Sequence, residues 1–195
     1  MRCFFCRIGD MQDGIHFLLT YNCTFECDHC FLYCSPRSTG TFTIDQVQQV
    51  LDEAHRIGTV EWIYFEGGEP FLYYQLLLAS VQNAKQRGFK VGIVSNAYWA
   101  SNATEALEQL KPFTGLVDDL SISDDAYHGR KAGPRETTFA RQAAKQLGIP
   151  VDFISITGPD KTDSKDDYPQ LSPADSTVVY RGRAAETLAP CVQPR

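Results

Sequence analysis

The chain has 195 residues, 43% of them hydrophobic, enough to bury one domain core of ordinary size, and a formal charge of -6. That acidity argues against nucleic acid as the main partner, because phosphate binding needs a basic face. No apolar run approaches the ~20 residues that cross a bilayer, so no membrane partner is expected. The opening MRCFFCRIGDMQDG breaks into charge and glycine too early for a secretory signal, which makes a cytoplasmic protein the expectation.

Strand-like and helix-like segments then alternate. Residues 16–21 (HFLLTY) predict a first strand, with residues 1–15 as an extension before it. Thr43 opens a helix in which Gln46 completes a capping box; Ile44, Val47, Leu51 and Ala54 share one face, and Gly58 ends it. Residues 61–66 (EWIYFE) predict a second strand, 73–87 a helix closed by Gly88, and 90–95 (KVGIVS) a third strand. Asn102 and Glu105 start a third helix that Pro112 limits. A fourth strand is expected over 116–123, then a helix carrying Phe139, Ala143 and Leu147 on one face and ending at Gly148. Residues 151–157 read as a fifth strand, 158–176 as a long polar, proline-bearing loop, and 177–181 as a sixth strand. This alternation implies an α/β fold with a parallel sheet and right-handed crossovers, spanning the chain as one domain. Periodicity does not choose between a partial barrel and a doubly wound sheet, but both bind ligands at the carboxyl ends of their strands.

Six of the seven cysteines lie in the first 34 residues, and an odd count without an export signal argues against a disulfide framework. Cys23, Cys27 and Cys30 stand at Cys-x3-Cys-x2-Cys spacing directly after the first strand. Closely spaced thiolates on a loop can wrap an iron–sulfur cluster. Three of them leave one iron of a four-iron cluster open to a small molecule. Zinc is the other reading: Cys27 and Cys30 with a second pair, such as Cys3 and Cys6, would make a tetrahedral site.

The spacing and its place after the first strand resemble the signature of the radical S-adenosylmethionine (SAM) superfamily. The resemblance implies a partial (β/α)6 barrel and a 4Fe-4S cluster on Cys23, Cys27 and Cys30, with SAM on the free iron. It also implies reductive cleavage of SAM to a 5′-deoxyadenosyl radical that abstracts hydrogen from a substrate, with an electron donor of flavodoxin or ferredoxin type. His29 holds the place before the third cysteine, commonly an aromatic near the adenine; an exposed loop histidine is the plainer reading. Gly67-Gly68-Glu69-Pro70, after Glu66 at the end of the second strand, resembles the family's SAM-methionine motif, with Glu69 suited to an ammonium group. Ser95-Asn96-Ala97 resembles the Thr-Asn-Gly often found after strand three, with alanine replacing glycine. Ser121 and Ser123 share a face of strand four and are expected to reach the ribose or the SAM carboxylate. Asp124, Asp125 and His128 line the substrate opening or solvate a loop, the loop being favoured.

Arg181-Gly182-Arg183-Ala184 resembles the Gly-Arg-Ala of members with a C-terminal SPASM extension, which carry further clusters and often modify peptides or proteins. Arg183 is expected to pair with a carboxylate of SAM or substrate. Residues 184–195 read as the truncated start of such an extension. Cys3, Cys6, Cys34 and Cys191 form an extra metal site or remain ordinary thiols, and Trp62, Tyr64 and Tyr73 read as core packing. Glu66, a carboxylate at a strand mouth, is a candidate substrate contact. Two alternatives stand beside the leading reading: an activase of a glycyl-radical enzyme, and a non-catalytic zinc or iron–sulfur protein.

Overall fold

The computed structural model describes residues 14–128, 136–157 and 176–191. Five strands, β1 (Gly14–Thr20), β2 (Trp62–Gly67), β3 (Lys90–Ser95), β4 (Asp119–Ser123) and β5 (Val151–Ile154), form one all-parallel sheet in sequential order. The crossovers are helices α1 (Ile44–Ile57), α2 (Tyr74–Gln86), α3 (Ala103–Leu110) and α4 (Glu136–Gln146).

Local chemistry sets the helix ends. Thr43 Oγ1 accepts from Gln46 N at 3.3 Å while Gln46 Oε1 accepts from Thr43 N at 2.9 Å, the expected capping box. Gly58 closes α1 in the left-handed conformation at φ 77°. Asn102 caps α3 by accepting from Glu105 N at 3.0 Å.

Alternation along the strands gives the sheet two different faces. Phe17, Phe65, Ile93 and Leu120 stand in register on the face covered by the helices, and all are buried. The other face carries His16, Tyr64, Gly92 and Asp119 in one row, with Glu66, Val94, Ser121 and Ser123 nearer the carboxyl ends. Trp62 and Tyr64 therefore do not pack in the core. They stack on each other at 5.5 Å on the open face, and Tyr64 occupies space that any side chain at Gly92 would need. Tyr73 is exposed.

The expected fifth strand divides at Ser155, and Ile156–Thr157 (β6) pairs instead with Ser176–Thr177 (β7) in a separate two-stranded sheet. The expected sixth strand shrinks to that two-residue β7. Beyond it the chain turns: Arg181 N donates to Val179 O at 2.7 Å, and Gly182 takes φ 58°. This turn sends the short helix α5 (Arg183–Thr187) back against the loop after β1.

Candidate active site

The loop after β1 carries Cys23, Cys27, Cys30 and Cys34, and its backbone is tied down along its length. Cys23 N donates to Ser35 O at 3.1 Å and Cys30 N to Cys27 O at 3.2 Å. Asn22 Nδ2 donates to the carbonyls of Pro36 and Ser38, each at 3.1 Å. The glycine motif after β2 presses on the start of this loop. Gly68 N donates to Thr20 O at 2.7 Å and Glu69 N to Asn22 O at 2.9 Å. A Cβ on Gly67, whose φ is 125°, would lie 2.6 Å from Thr20 O, and one on Gly68 would fall on Asn22 O. Both positions require glycine because two backbones meet there.

Glu69 is fully buried, and its carboxylate accepts from Phe71 N at 3.1 Å, Ser95 Oγ at 3.0 Å and Asn96 N at 2.8 Å. Burial pushes its pKa up to about 7 against those hydrogen bonds. The carboxylate thus ties the glycine motif to the end of β3. Pro70 is buried beside it, at the first turn of a 3-10 segment. Asn96 Nδ2 in turn reaches Thr24 Oγ1 at 3.1 Å and Cys23 Sγ at 3.7 Å, joining β3 to the cysteine loop. Ala97, where the resemblance has glycine, holds φ 59° and is buried.

One cavity at the carboxyl ends of the strands brings together the four thiols, His29, Gly67, Gly68, Ser95, Asn96 and Ser123, along with Glu66 and His128. Pro70 and Glu69 lie behind this lining, and Ser121 turns to Asp119, donating to its Oδ2 at 2.9 Å. Arg183 does not line the cavity. Its guanidinium donates to Cys27 O at 2.9 Å and Cys34 O at 2.7 Å. Cys3 and Cys6 lie outside the described residues.

Asp125 and His128, expected in a solvated loop, are only 3% and 7% exposed. His128 Nδ1 and Asp125 Oδ1 are 2.8 Å apart, and Asp125 Oδ2 lies 3.5 Å from His29 Nε2. His29 packs on Tyr127, with ring centroids 4.7 Å apart, and is far from an exposed loop residue. His29 Nδ1 and Asp125 Oδ2 are buried polar atoms with no hydrogen-bond partner among the described residues. Burial lowers the His29 pKa. Burial pushes Asp125 up, but the hydrogen bond and charge of His128, the charge of His29 and the Tyr127 backbone hydrogen bond together more than offset it, leaving the carboxyl below its ordinary value. Deeper on the open face His16 Nδ1 meets Glu66 Oε1 at 3.0 Å, and this contact raises the His16 pKa.

The thiols suit a cationic metal group. Burial raises Cys23 and pushes Cys27 up to about 12, so neither ionises readily on its own. A hydrogen bond from the Cys34 thiol holds Cys30 at about 6, and the same contact raises Cys34. Buried thiols of this kind become thiolates when a metal supplies the positive charge. Cys34, which forms no familiar motif in sequence, enters the site through this contact.

The family model of the radical SAM superfamily matches residues 17–168. The chain belongs to the radical SAM superfamily. Its cofactors are therefore a 4Fe-4S cluster and SAM, and its chemistry needs a reductant. Among relatives of this radical SAM chain, the Bacillus subtilis (strain 168) protein YydG, named for peptide biosynthesis, is 31% identical over 111 residues, covering 56% of this chain and 35% of YydG. The Methanocaldococcus jannaschii protein MJ1632, named for glycyl-radical enzyme activation, is 29% identical over 114 residues, covering 58% of this chain and 40% of its own length. The matched region is thus less than half of either relative. The crystal structure of methylornithine synthase (PylB) superposes with a TM-score of 0.56 at 18% identity, over 75% of this chain and 46% of that one, and shows the shared fold. Among the described residues no helix is long and apolar enough to cross a membrane.

Proposed function

We propose that Cys23, Cys27 and Cys30 hold the 4Fe-4S cluster and that this radical SAM enzyme acts on a peptide or protein. The observation that carries the cluster assignment is the convergence of these thiols with Gly67, Gly68, Ser95, Asn96 and Ser123 in one cavity at the strand ends. When bound, the cluster and SAM supply a one-electron cleavage that yields a carbon radical able to take hydrogen from a substrate. The chain's own residues bind and orient. The backbone at Gly67 and Gly68 offers a surface without side chains for the methionine end of SAM. Ser123 and Asn96 supply polar groups at the ends of β4 and β3, and His29, which the resemblance assigns to the adenine, borders the same cavity.

A peptide substrate is supported by the likeness to YydG and by the Gly182-Arg183-Ala184 segment. Activation of a glycyl-radical enzyme is the second reading, supported by the likeness to MJ1632. A cytoplasmic location, with a flavodoxin or ferredoxin as reductant, suits an oxygen-sensitive cluster.

The test is anaerobic reconstitution with iron and sulfide, followed by dithionite and SAM, with 5′-deoxyadenosine as the readout. Product above that of a Cys27→Ala control supports the assignment. Zinc bound by the four thiols, with neither cluster nor product, would replace it with a structural metal site. Incubation with candidate precursor peptides, and separately with a glycyl-radical enzyme, distinguishes the two substrate readings by a mass change or by a glycyl-radical signal.

A further inference from the structure

The cysteine loop is held from its other side by residues 182–187. Arg183 N donates to Leu32 O at 3.0 Å and Ala184 N to Cys30 O at 3.1 Å. The Arg183 guanidinium takes the carbonyls of Cys27 and Cys34, and Thr187 Oγ1 donates to Asp28 O at 2.7 Å. Five carbonyls of one loop thus end on a segment distant in sequence. A sixth link runs the other way: Tyr33 Oη donates to Glu186 Oε1 at 2.6 Å. The approach is close enough that a Cβ on Gly182 would lie 2.6 Å from Leu32 N and would collide with Phe31 O.

Arg183 is also a charge in a sheltered place. Its side chain is 12% exposed, and its nearest carboxylate among the described residues, Glu26 Oε1 at 3.9 Å, is already paired with Arg37 at 2.9 Å. A planar fork is suited to hold two carbonyls at once, which an ammonium cannot do with the same geometry. Positive charge beside a cluster stabilises its reduced, more negative state, and reduction potentials respond to such local charge.

We propose that residues 182–187 are a strap fastening the cluster-bearing loop, in which Arg183 is the positioning residue and its charge raises the potential at which the cluster accepts its electron. This inference rests on the assignment of the cluster to Cys23, Cys27 and Cys30. It gives the Gly-Arg-Ala segment a role within the core domain, independent of whatever follows it in a longer relative.

The experiment uses the anaerobically reconstituted chain and two readouts: the rate at which a ferrous chelator removes iron, and the midpoint potential from an EPR-monitored redox titration. Arg183→Gln should lose iron several-fold faster and shift the potential downward. Arg183→Lys keeps the charge and breaks the fork, so it should lose iron faster with a potential near that of the parent. Gly182→Ala lifts the strap and should speed iron loss while leaving the charge in place. Parent-like rates and potential in Arg183→Gln overturn the proposal. A parent-like rate with a lowered potential overturns the fastening role, and faster loss at an unchanged potential overturns the charge role. If Arg183→Gln fails to fold, Arg183→Lys and Gly182→Ala decide: iron loss at the parent rate in both overturns the strap. Failure of the underlying assignment looks different, because the parent chain itself would then assemble no cluster.

Discussion

Glu69 makes the stability of this protein depend on pH in a direction opposite to that of most carboxylates. Its pKa rises from 4.5 to about 7 because the carboxyl is fully buried. Between those values the native state holds a proton that the unfolded chain has released. Stability from this group is therefore complete below pH 4.5 and is lost as pH rises through about 7. At roughly 1.4 kcal/mol for each pH unit of separation, the whole effect is about 3 kcal/mol. Glu69→Gln removes the titration. It also places an amide where Asn96 N now donates at 2.8 Å, so one donor near the end of β3 loses its acceptor, at a constant cost of about 1–3 kcal/mol. The assay is chemical denaturation of the metal-free protein at intervals from pH 5 to pH 8. The parent should lose about 2.5 kcal/mol more than the glutamine variant across that range, the first part of the effect being already lost at pH 5. His16, which its contact with Glu66 also raises, titrates in both proteins and cancels in the difference. Parallel stability curves for the two proteins would refute the reasoning.

Other expectations follow from the same geometry. Alanine at Cys23, Cys27 or Cys30 should remove the cluster absorbance and 5′-deoxyadenosine formation, while alanine at Cys34, which bonds to Cys30, should leave a cluster that still assembles; iron and sulfide analysis checks both. Gly68→Ala sets a methyl on the Asn22 carbonyl; since neither backbone can yield cheaply, it should cost about 1–3 kcal/mol and impair cluster assembly, measured by melting and iron content. Asp125→Asn takes the carboxylate away from both His29 and His128; it should weaken SAM binding on the order of tenfold, worth ~1.4 kcal/mol, with cluster content unchanged, as read by equilibrium dialysis of the reconstituted protein.

The elements were legible wherever a local signal was strong. The capping box at Thr43 and Gln46, the left-handed Gly58 and the alternation of 90–95 each depend on neighbours a few residues away, and each forms as the residues imply. The strand expected over 177–181 had the right residue types, but among the described residues only its first, Thr177, pairs, with Thr157. Whether such a segment pairs depends on where the sheet edge lies, and here the chain turns away at Gly182. Trp62 and Tyr64 misled for a similar reason: period-two alternation places them on a common face but does not say which face the helices cover.

The same division runs through the site. The triad spacing and Gly67-Gly68 lie within short runs, so the sequence alone was enough to raise the cluster and SAM, and even the need for two adjacent glycines. The work of Glu69, Asp125, His128, Cys34 and Arg183 was decided by tertiary structure. Each acts through a partner that folding brings close: Glu69 through Ser95 and Asn96, Asp125 through His29, and Arg183 through carbonyls 149 and 156 positions away. A charged side chain in sequence does not reveal whether it will meet a ligand or an unpaired carbonyl of its own chain. Burial and distance settle that choice, and both exist only once the sheet and the cysteine loop have closed on each other.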